Sequence, residues 1–307
     1  MPDLLLAPLA LVLLAALVCV SVVADRALVA RSAGRPLTAA DLSPWPDVAR
    51  LLVQRRRTTT DPDALLWRTG GAGLLVAAAL MMAVVPIGGG VVADLPVGIV
   101  WFNAMDVLLW AFVWTLGWGA AGATALVGGY RYLAQALAYE LPLMFALTAP
   151  AVAAASLDVR EVVAAQSDRW HVVEMPVAFG VFVLCVAAFS LWGPFRAPVG
   201  DDLGGGAFAE TSGVDRLLLL AGRHALVVAG AAFSVPLFLG GGAGPLLPDW
   251  TWQLVKTLAV LAVLVVVRRR LPVLRPERFA EVGWVLLVPL TLLQVFVTSL
   301  IVLAQAP

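Results

Sequence analysis

Apolar runs of span length, separated by shorter polar stretches, set the pattern of this chain. A helix needs about 20 apolar residues to cross the hydrocarbon of a bilayer. Eight stretches meet that length, at 4–24, 70–88, 97–119, 136–156, 174–193, 216–240, 252–268 and 281–304. Several contain Pro or Gly, which membrane helices tolerate where neighbours satisfy the freed backbone groups. The first run carries Asp3 and lacks the basic start of a cleaved signal peptide, so it is expected to persist as a span. The fold class expected is all-α integral membrane: eight transmembrane helices in one domain over 1–307. Composition agrees, with 62% of residues hydrophobic and 13% charged, against about 25% charged in soluble domains.

The loops sort by charge. The first loop holds Arg26, Arg31, Arg35, Arg50, Arg55, Arg56, Arg57 and Arg68. The third holds Arg131, the fifth Arg196 and Arg216, and the seventh Arg268, Arg269, Arg270, Arg275 and Arg278. The even-numbered loops hold only Arg160 and Arg169, balanced by Asp158, Glu161 and Asp168. The positive-inside rule then predicts cytoplasmic odd-numbered loops, with both termini outside a bacterial cell membrane. Within the first loop, which spans about 25–69, PWPDVARLLVQRRR sets Trp45, Val48, Ala49 and Leu52 on one helical face. That is the pattern of a short cytoplasmic helix lying in the interface. A basic loop held against anionic lipid is the alternative.

Candidate chemistry is sparse. Cys19 and Cys185 are isolated in apolar runs, and His171 and His224 stand far apart without an HExxH setting. The chain alone therefore offers no iron–sulfur or structural zinc site and no catalytic centre. A net charge of zero gives no case for nucleic acid. Ionisable groups at membrane depth usually face the bundle interior or a wet cavity. The candidates are Asp106, Glu140, Glu174, Arg223, His224 and Lys256. Glu174 and Arg223 lie near span ends, where snorkelling is the simpler reading, and His224 reads as a hydrogen-bonded packing residue. Asp106 and Lys256 sit deeper. Glu140 could pair with Arg131 or face buried water, as in a proton relay.

The segment GWGAAGATALVGGYRYLAQALAYELPL resembles the signature of the subunit 1 (H-type) family of respiratory complex I, through Gly117, Trp118, Gly128, Arg131, Gln135, Tyr139 and Glu140. Further pieces follow in family order. They are Asp25–Arg26 at the end of the first span; LSPWPDVARLL with Pro44, Asp47 and Arg50; and ADLPVGIVWF. Then come DDLGGGAFAETSG with Asp202, Leu203, Gly206, Glu210, Ser212 and Gly213; FLGG; WQLVKT; and PVLRPERF. The same fold serves the membrane subunit of formate hydrogenlyase and other membrane-bound hydrogenases.

The resemblance implies a non-redox subunit that docks a hydrophilic arm at its cytoplasmic face and forms much of a quinone chamber. From that chamber a water-linked chain of buried carboxylates leads toward proton-pumping partners. It assigns Glu140, Asp202, Glu210 and Lys256 to the relay. Asp25, Arg26, Asp47, Arg50, Arg131, Gln135, Arg196 and Arg275 fall to the chamber and docking surface. No metal and no cofactor belong to this chain by itself, with quinone expected only at the interface with partner subunits. The partners implied are the other membrane and hydrophilic subunits, and the bilayer.

Two departures matter. The fifth span ends SLWGPFRAPVGDD, keeping Arg196, Ala197 and Pro198, but Gly193 occupies a glutamate position and only Asp201 and Asp202 remain of an acidic loop. The glutamate of the sixth span is replaced by Gly222, followed by Arg223. A hydrogenase-type subunit without quinone chemistry is therefore the alternative reading. A stand-alone transporter or scaffold is the third, although the two halves show none of the inverted self-similarity common in secondary transporters.

Overall fold

The computed structural model describes residues 6–39 and 41–305. Among these residues, regular structure is helical, apart from an isolated bridge between Ile87 and Gly90. The helices are α1 (Leu6–Ser32), α2 (Trp45–Val53), α3 (Ala64–Met82), α4 (Gly98–Gly119), α5 (Ala123–Ala154), α6 (Val159–Ala164), α7 (His171–Glu174), α8 (Pro176–Phe189), α9 (Gly213–Phe238), α10 (Asp249–Arg270), α11 (Pro276–Val282) and α12 (Val288–Gln305). A π-helical turn, Gly283–Leu287, joins the last two into one span. Eight helical segments are long and apolar enough to cross a membrane, in the order the sequence predicts.

The differences from the hydropathy reading lie at helix ends. The fourth span begins at Ala123 rather than 136, because Arg131 and Gln135 depress local hydropathy while bonding to protein. The second begins at Ala64, where the Asp63 carboxylate accepts from the Leu65 and Leu66 N–H groups at 3.1 Å and caps the helix.

All the odd-numbered loops gather at one end of the bundle. There Arg26 pairs with Asp47, and the Arg57 N–H donates to Ser212 Oγ at 2.7 Å. Thr59 Oγ1 donates to the Ala120 carbonyl at 2.7 Å, and the Leu274 N–H to the Pro194 carbonyl at 2.7 Å. At the opposite end Arg160 and Asp94 join the second and fourth loops at 2.6 Å. The basic loops thus share a face, as their charge pattern requires.

Helix α9 is the spine. In its most apolar window 78% of residues are buried, against 22% in α1 and in the last span, which are therefore peripheral. Small residues let backbones approach closely where no hydrophobic effect drives helices together. A Cβ on Gly70 of α3 would stand 2.5 Å from the Phe112 carbonyl oxygen of α4. One on Gly222 of α9 would stand 2.7 Å from the Leu75 nitrogen of α3. Above these contacts Phe102 of α4 stacks on Phe233 of α9, ring centres 4.0 Å apart, beside Phe182 and Phe189 of α8.

Helix α8 stops after 14 residues, about 21 Å at 1.5 Å per residue. Leu191 takes a left-handed φ of 56°. The Trp192 N–H then returns to the Ala187 carbonyl at 2.8 Å and the Leu191 N–H to Ala188 at 3.1 Å, a Schellman ending. Four 3₁₀ turns follow between Gly193 and Phe208. Irregular backbone at membrane depth is viable only when buried in protein, and Gly193, Pro194, Phe195, Ala207 and Phe208 are buried.

Replacing Gly70 with Val forces α3 and α4 apart. The expected cost is about 1–3 kcal/mol, as for other overpacked interfaces, read as a lower unfolding midpoint in detergent. An unchanged midpoint would contradict this close approach.

Candidate functional site: a carboxyl pair between two membrane helices

Asn103 and Asp106 are three residues apart on α4, and Tyr132, Gln135 and Tyr139 form one stripe on α5; residues at these spacings share a helix face. Helices α4 and α5 form an antiparallel hairpin. Asp106 and Glu140 lie roughly 20 and 26 Å along their helices from its turn, at comparable depth. Asp106 is wholly inaccessible, and its Oδ1 accepts from the Tyr139 hydroxyl at 3.2 Å. The Tyr139 and Tyr132 hydroxyls stand 3.4 Å apart, and Tyr132 donates to the Phe189 carbonyl at 3.0 Å. Glu140, half-buried, accepts from Asn103 Nδ2 at 3.0 Å through Oε1.

The two carboxyl groups are within hydrogen-bonding reach of each other. Asp106 Oδ2, Glu140 Oε2 and Asn103 Oδ1 accept no hydrogen bond from the protein. Such groups are ordinarily satisfied by a proton, solvent or an ion. Two facing carboxyls hydrogen-bond only when one carries a proton. The arrangement is chemically suited to taking up and releasing a proton, with two tyrosine hydroxyls in line behind it.

Arg131 does not pair with Glu140. It lies at the loop end of α5, 2.6 Å from Asp202. The Arg131 guanidinium holds the Asp202 carboxyl below the usual carboxylate range. Asp25 receives both Arg269, through Nε at 2.7 Å, and Arg268 at 3.2 Å. Arg26 and Arg50 share Asp47, the latter at 3.5 Å. Arg196 and Arg275 are exposed, Arg196 3.8 Å from Asp201. Glu210 borders a cavity of about 380 Å³ with Arg50, Gln54, Arg57, Ser212 and Arg216. The residues that the resemblance assigns thus separate: most gather on a basic loop-end surface, whereas Gln135, Glu140 and Lys256 lie within the spans.

Several other polar residues in the spans terminate broken helices. Gln135 Nε2 donates to the Ala188 carbonyl at 2.8 Å, Tyr132 to Phe189, and Arg223 to Leu191. Arg223 is therefore a buried cap on α8 rather than a snorkelling side chain; it lies over Trp192, as does Arg268. His224 packs edge-on against Trp192 and shares a 2.8 Å hydrogen bond with Ser21, the packing role its sequence suggests. At the far end of α9, Lys256 Nζ donates to the carbonyls of Leu239, Gly241 and Ala243 at 2.6, 2.9 and 2.7 Å. Gln166 donates to the Pro236 carbonyl at 2.7 Å. Burial pushes the His171 imidazole below its ordinary pKa, and its Nδ1–H donates to the Leu237 carbonyl at 2.9 Å. Asn103 and Tyr132 escape the sequence reading. Their signals are the i,i+3 spacing to Asp106 and the i,i+7 spacing to Tyr139.

The family profile described as NADH dehydrogenase matches residues 5–299. The chain belongs to this family, the subunit 1 (H-type) family of complex I. One relative is the NADH-quinone oxidoreductase H-subunit 2 of Geobacter sulfurreducens, 35% identical over 227 residues, or 70% of this chain and 69% of that protein. Another is the NADH-quinone oxidoreductase H-subunit 1 of Geobacter metallireducens, 34% identical over 215 residues, 70% of this chain and 65% of that protein. The match thus spans about two thirds of these relatives' length. Gly222 and Gly193, the positions where the resemblance leads one to expect glutamates, are closely packed. At Gly222 a side chain would strike Leu74 and Leu75, and Gly193, at φ 60°, would place a Cβ 3.0 Å from Arg268 Cα.

Lys256→Met leaves carbonyls at the end of α9 without donors. The expected loss is about 1–3 kcal/mol for each group left unsatisfied, measured as unfolding in detergent; an unaltered midpoint would contradict the capping role. The Arg131–Asp202 bridge has a defined pH window. Because the folded carboxyl is depressed, its contribution is present above the unfolded value near ~3.9 and is lost as pH falls through the folded value. Proteolysis of segment 197–205 should therefore accelerate on acidification in the native chain, and should be fast and less pH-dependent in Asp202→Asn.

Proposed function

We propose that this chain is the membrane subunit of a complex I-like NADH–quinone oxidoreductase, with its odd-numbered loops in the cytoplasm and both termini outside. In this role the basic loop-end surface, with Arg50, Arg196 and Arg275 exposed, receives the hydrophilic arm. Asp25, Arg26 and Asp47 brace α1 and α2 beside the quinone chamber, and α2 lies in the interface with Trp45 and Leu52 toward lipid. In this reading the chain itself carries no redox group. Quinone would bind where it meets its partners, and electron transfer belongs to them.

The observation carrying this reading is the coincidence of family membership with a carboxyl at Glu140 that is half-buried within a span and within reach of a second carboxyl. Glu140 lies beside the outward face of α4 and α5, where Val107, Leu137 and Met144 are exposed. A neighbouring membrane subunit covering that face would receive the proton. Asp202 and Glu210 belong to the loop end and would feed the relay from there. Lys256 enters the proposed relay only if its three carbonyl partners release it.

A second reading has its own support. Gly222 and Gly193 are closely packed and carry no carboxylate where the resemblance expects one. That favours a formate hydrogenlyase-like or group 4 hydrogenase-like membrane subunit, in which electrons reach protons and no quinone chamber is needed.

Glu140→Gln keeps shape and removes the titratable group. The assembled mutant complex, reconstituted in vesicles, is expected to lose proton translocation while retaining its subunits. Undiminished translocation would reject the relay. Cysteines at positions 50, 56 and 275 should resist an impermeant thiol reagent in intact cells and react in inverted vesicles; labelling from outside would reverse the topology. Activity with quinone, set against hydrogen evolution, separates the two readings.

A further inference from the structure

Asp106 has no place in the relay that the family resemblance assigns, yet no other carboxyl among the described residues is as completely buried. It is fully inaccessible, has one oxygen that accepts nothing from the protein, and is within hydrogen-bonding reach of Glu140. Its other oxygen is fixed by Tyr139, and the Tyr139 ring is held in turn by Phe189 and the Tyr132 hydroxyl. Asn103, three residues before Asp106 on α4, donates to Glu140 Oε1. The charged or titratable groups around the pair are thus Glu140, Tyr139, Tyr132 and Cys185, contributed by α5 and α8, with no cation among them. A second anion placed there without a counter-ion would be costly.

We infer that Asp106 and Glu140 work as one proton-holding unit, with Asp106 the inner member, Glu140 the outer, and the Tyr139 hydroxyl positioning the inner carboxyl. This rests on the proposed relay and names the partner that Glu140 needs. The resting unit carries one hydrogen between two carboxyls and a charge of −1. Uptake of one proton at the outer oxygen gives a neutral pair. Release of one proton to the next acceptor restores the charge of −1. No bond to carbon changes, and no electron moves. Asp106 thereby lets Glu140 gain and lose a proton without either carboxyl standing alone as a charge inside the bundle.

The test uses the assembled complex in vesicles with Asp106→Asn, Asp106→Glu and Glu140→Gln. Asp106→Asn is expected to slow proton translocation on the order of 100-fold, the lower end of what a positioned proton-transfer group supplies. It should also displace the pH profile of translocation and abolish the protonated-carboxyl C=O stretch that isotopic labelling of aspartate shifts in the wild-type infrared spectrum. Asp106→Glu should restore both the profile and a carboxyl band. If Asp106→Asn fails to assemble, the wild-type labelling decides alone: absence of any labelled protonated-aspartate band overturns the pair. If Glu140→Gln impairs translocation while Asp106→Asn leaves rate and pH profile unchanged, the relay stands and this inference falls. If Glu140→Gln has no effect, the relay itself fails.

Discussion

Hydrocarbon supplies no hydrogen bonds, so a polar group inside the bundle must find its partner there or cost several kcal/mol. That constraint organises this molecule. Two of its spans end or break within the protein, and each break exposes carbonyls that side chains from other helices cap. At the end of α8 the caps are Tyr132, Gln135 and Arg223. At the end of α9 they are Gln166, His171 and Lys256. The charges that look anomalous in an apolar sequence are mostly there to terminate helices.

With those accounted for, the carboxyl pair stands out because, with Asn103 Oδ1, it holds the buried side-chain oxygens among the described residues that lack a protein partner. Gln135 and Tyr132 connect it to the break in α8. They share one face of α5 with Tyr139, so the elements that stabilise the unwound segment also position the hydroxyls behind Asp106. A π-helical turn in the last span brings Gly283 against the Ala138 carbonyl, one residue before Tyr139. Such turns are frequent at functional sites. At the loop end, Arg131 and Asp202 tie the same helix α5 to the 3₁₀ turns.

Span number, order and the shared face of the basic loops are legible in the sequence because length, hydropathy and charge are additive along the chain. Helix ends are less so. The start of α5 is obscured by Arg131 and Gln135, whose polarity is answered by partners 71 and 53 residues away. Arg223 misleads for the same reason, because a nearby span end suggests snorkelling while its partner is the Leu191 carbonyl. Glu140 is conspicuous both as a buried charge and as part of a family motif. Asp106 is conspicuous only as a charge, and its meaning depends on the rotation of α4 against α5, which no local pattern encodes.

The central claim is that the pair's unpartnered oxygens are completed by mobile hydrogen-bonding species rather than by lipid. The most direct measurement is a high-resolution map of the assembled complex in a lipid environment. The account predicts ordered solvent against Asp106 Oδ2, Glu140 Oε2 or Asn103 Oδ1, continuous with a polar path to a neighbouring subunit. An acyl chain seated against Glu140, or a sealed pocket free of solvent density, would contradict it.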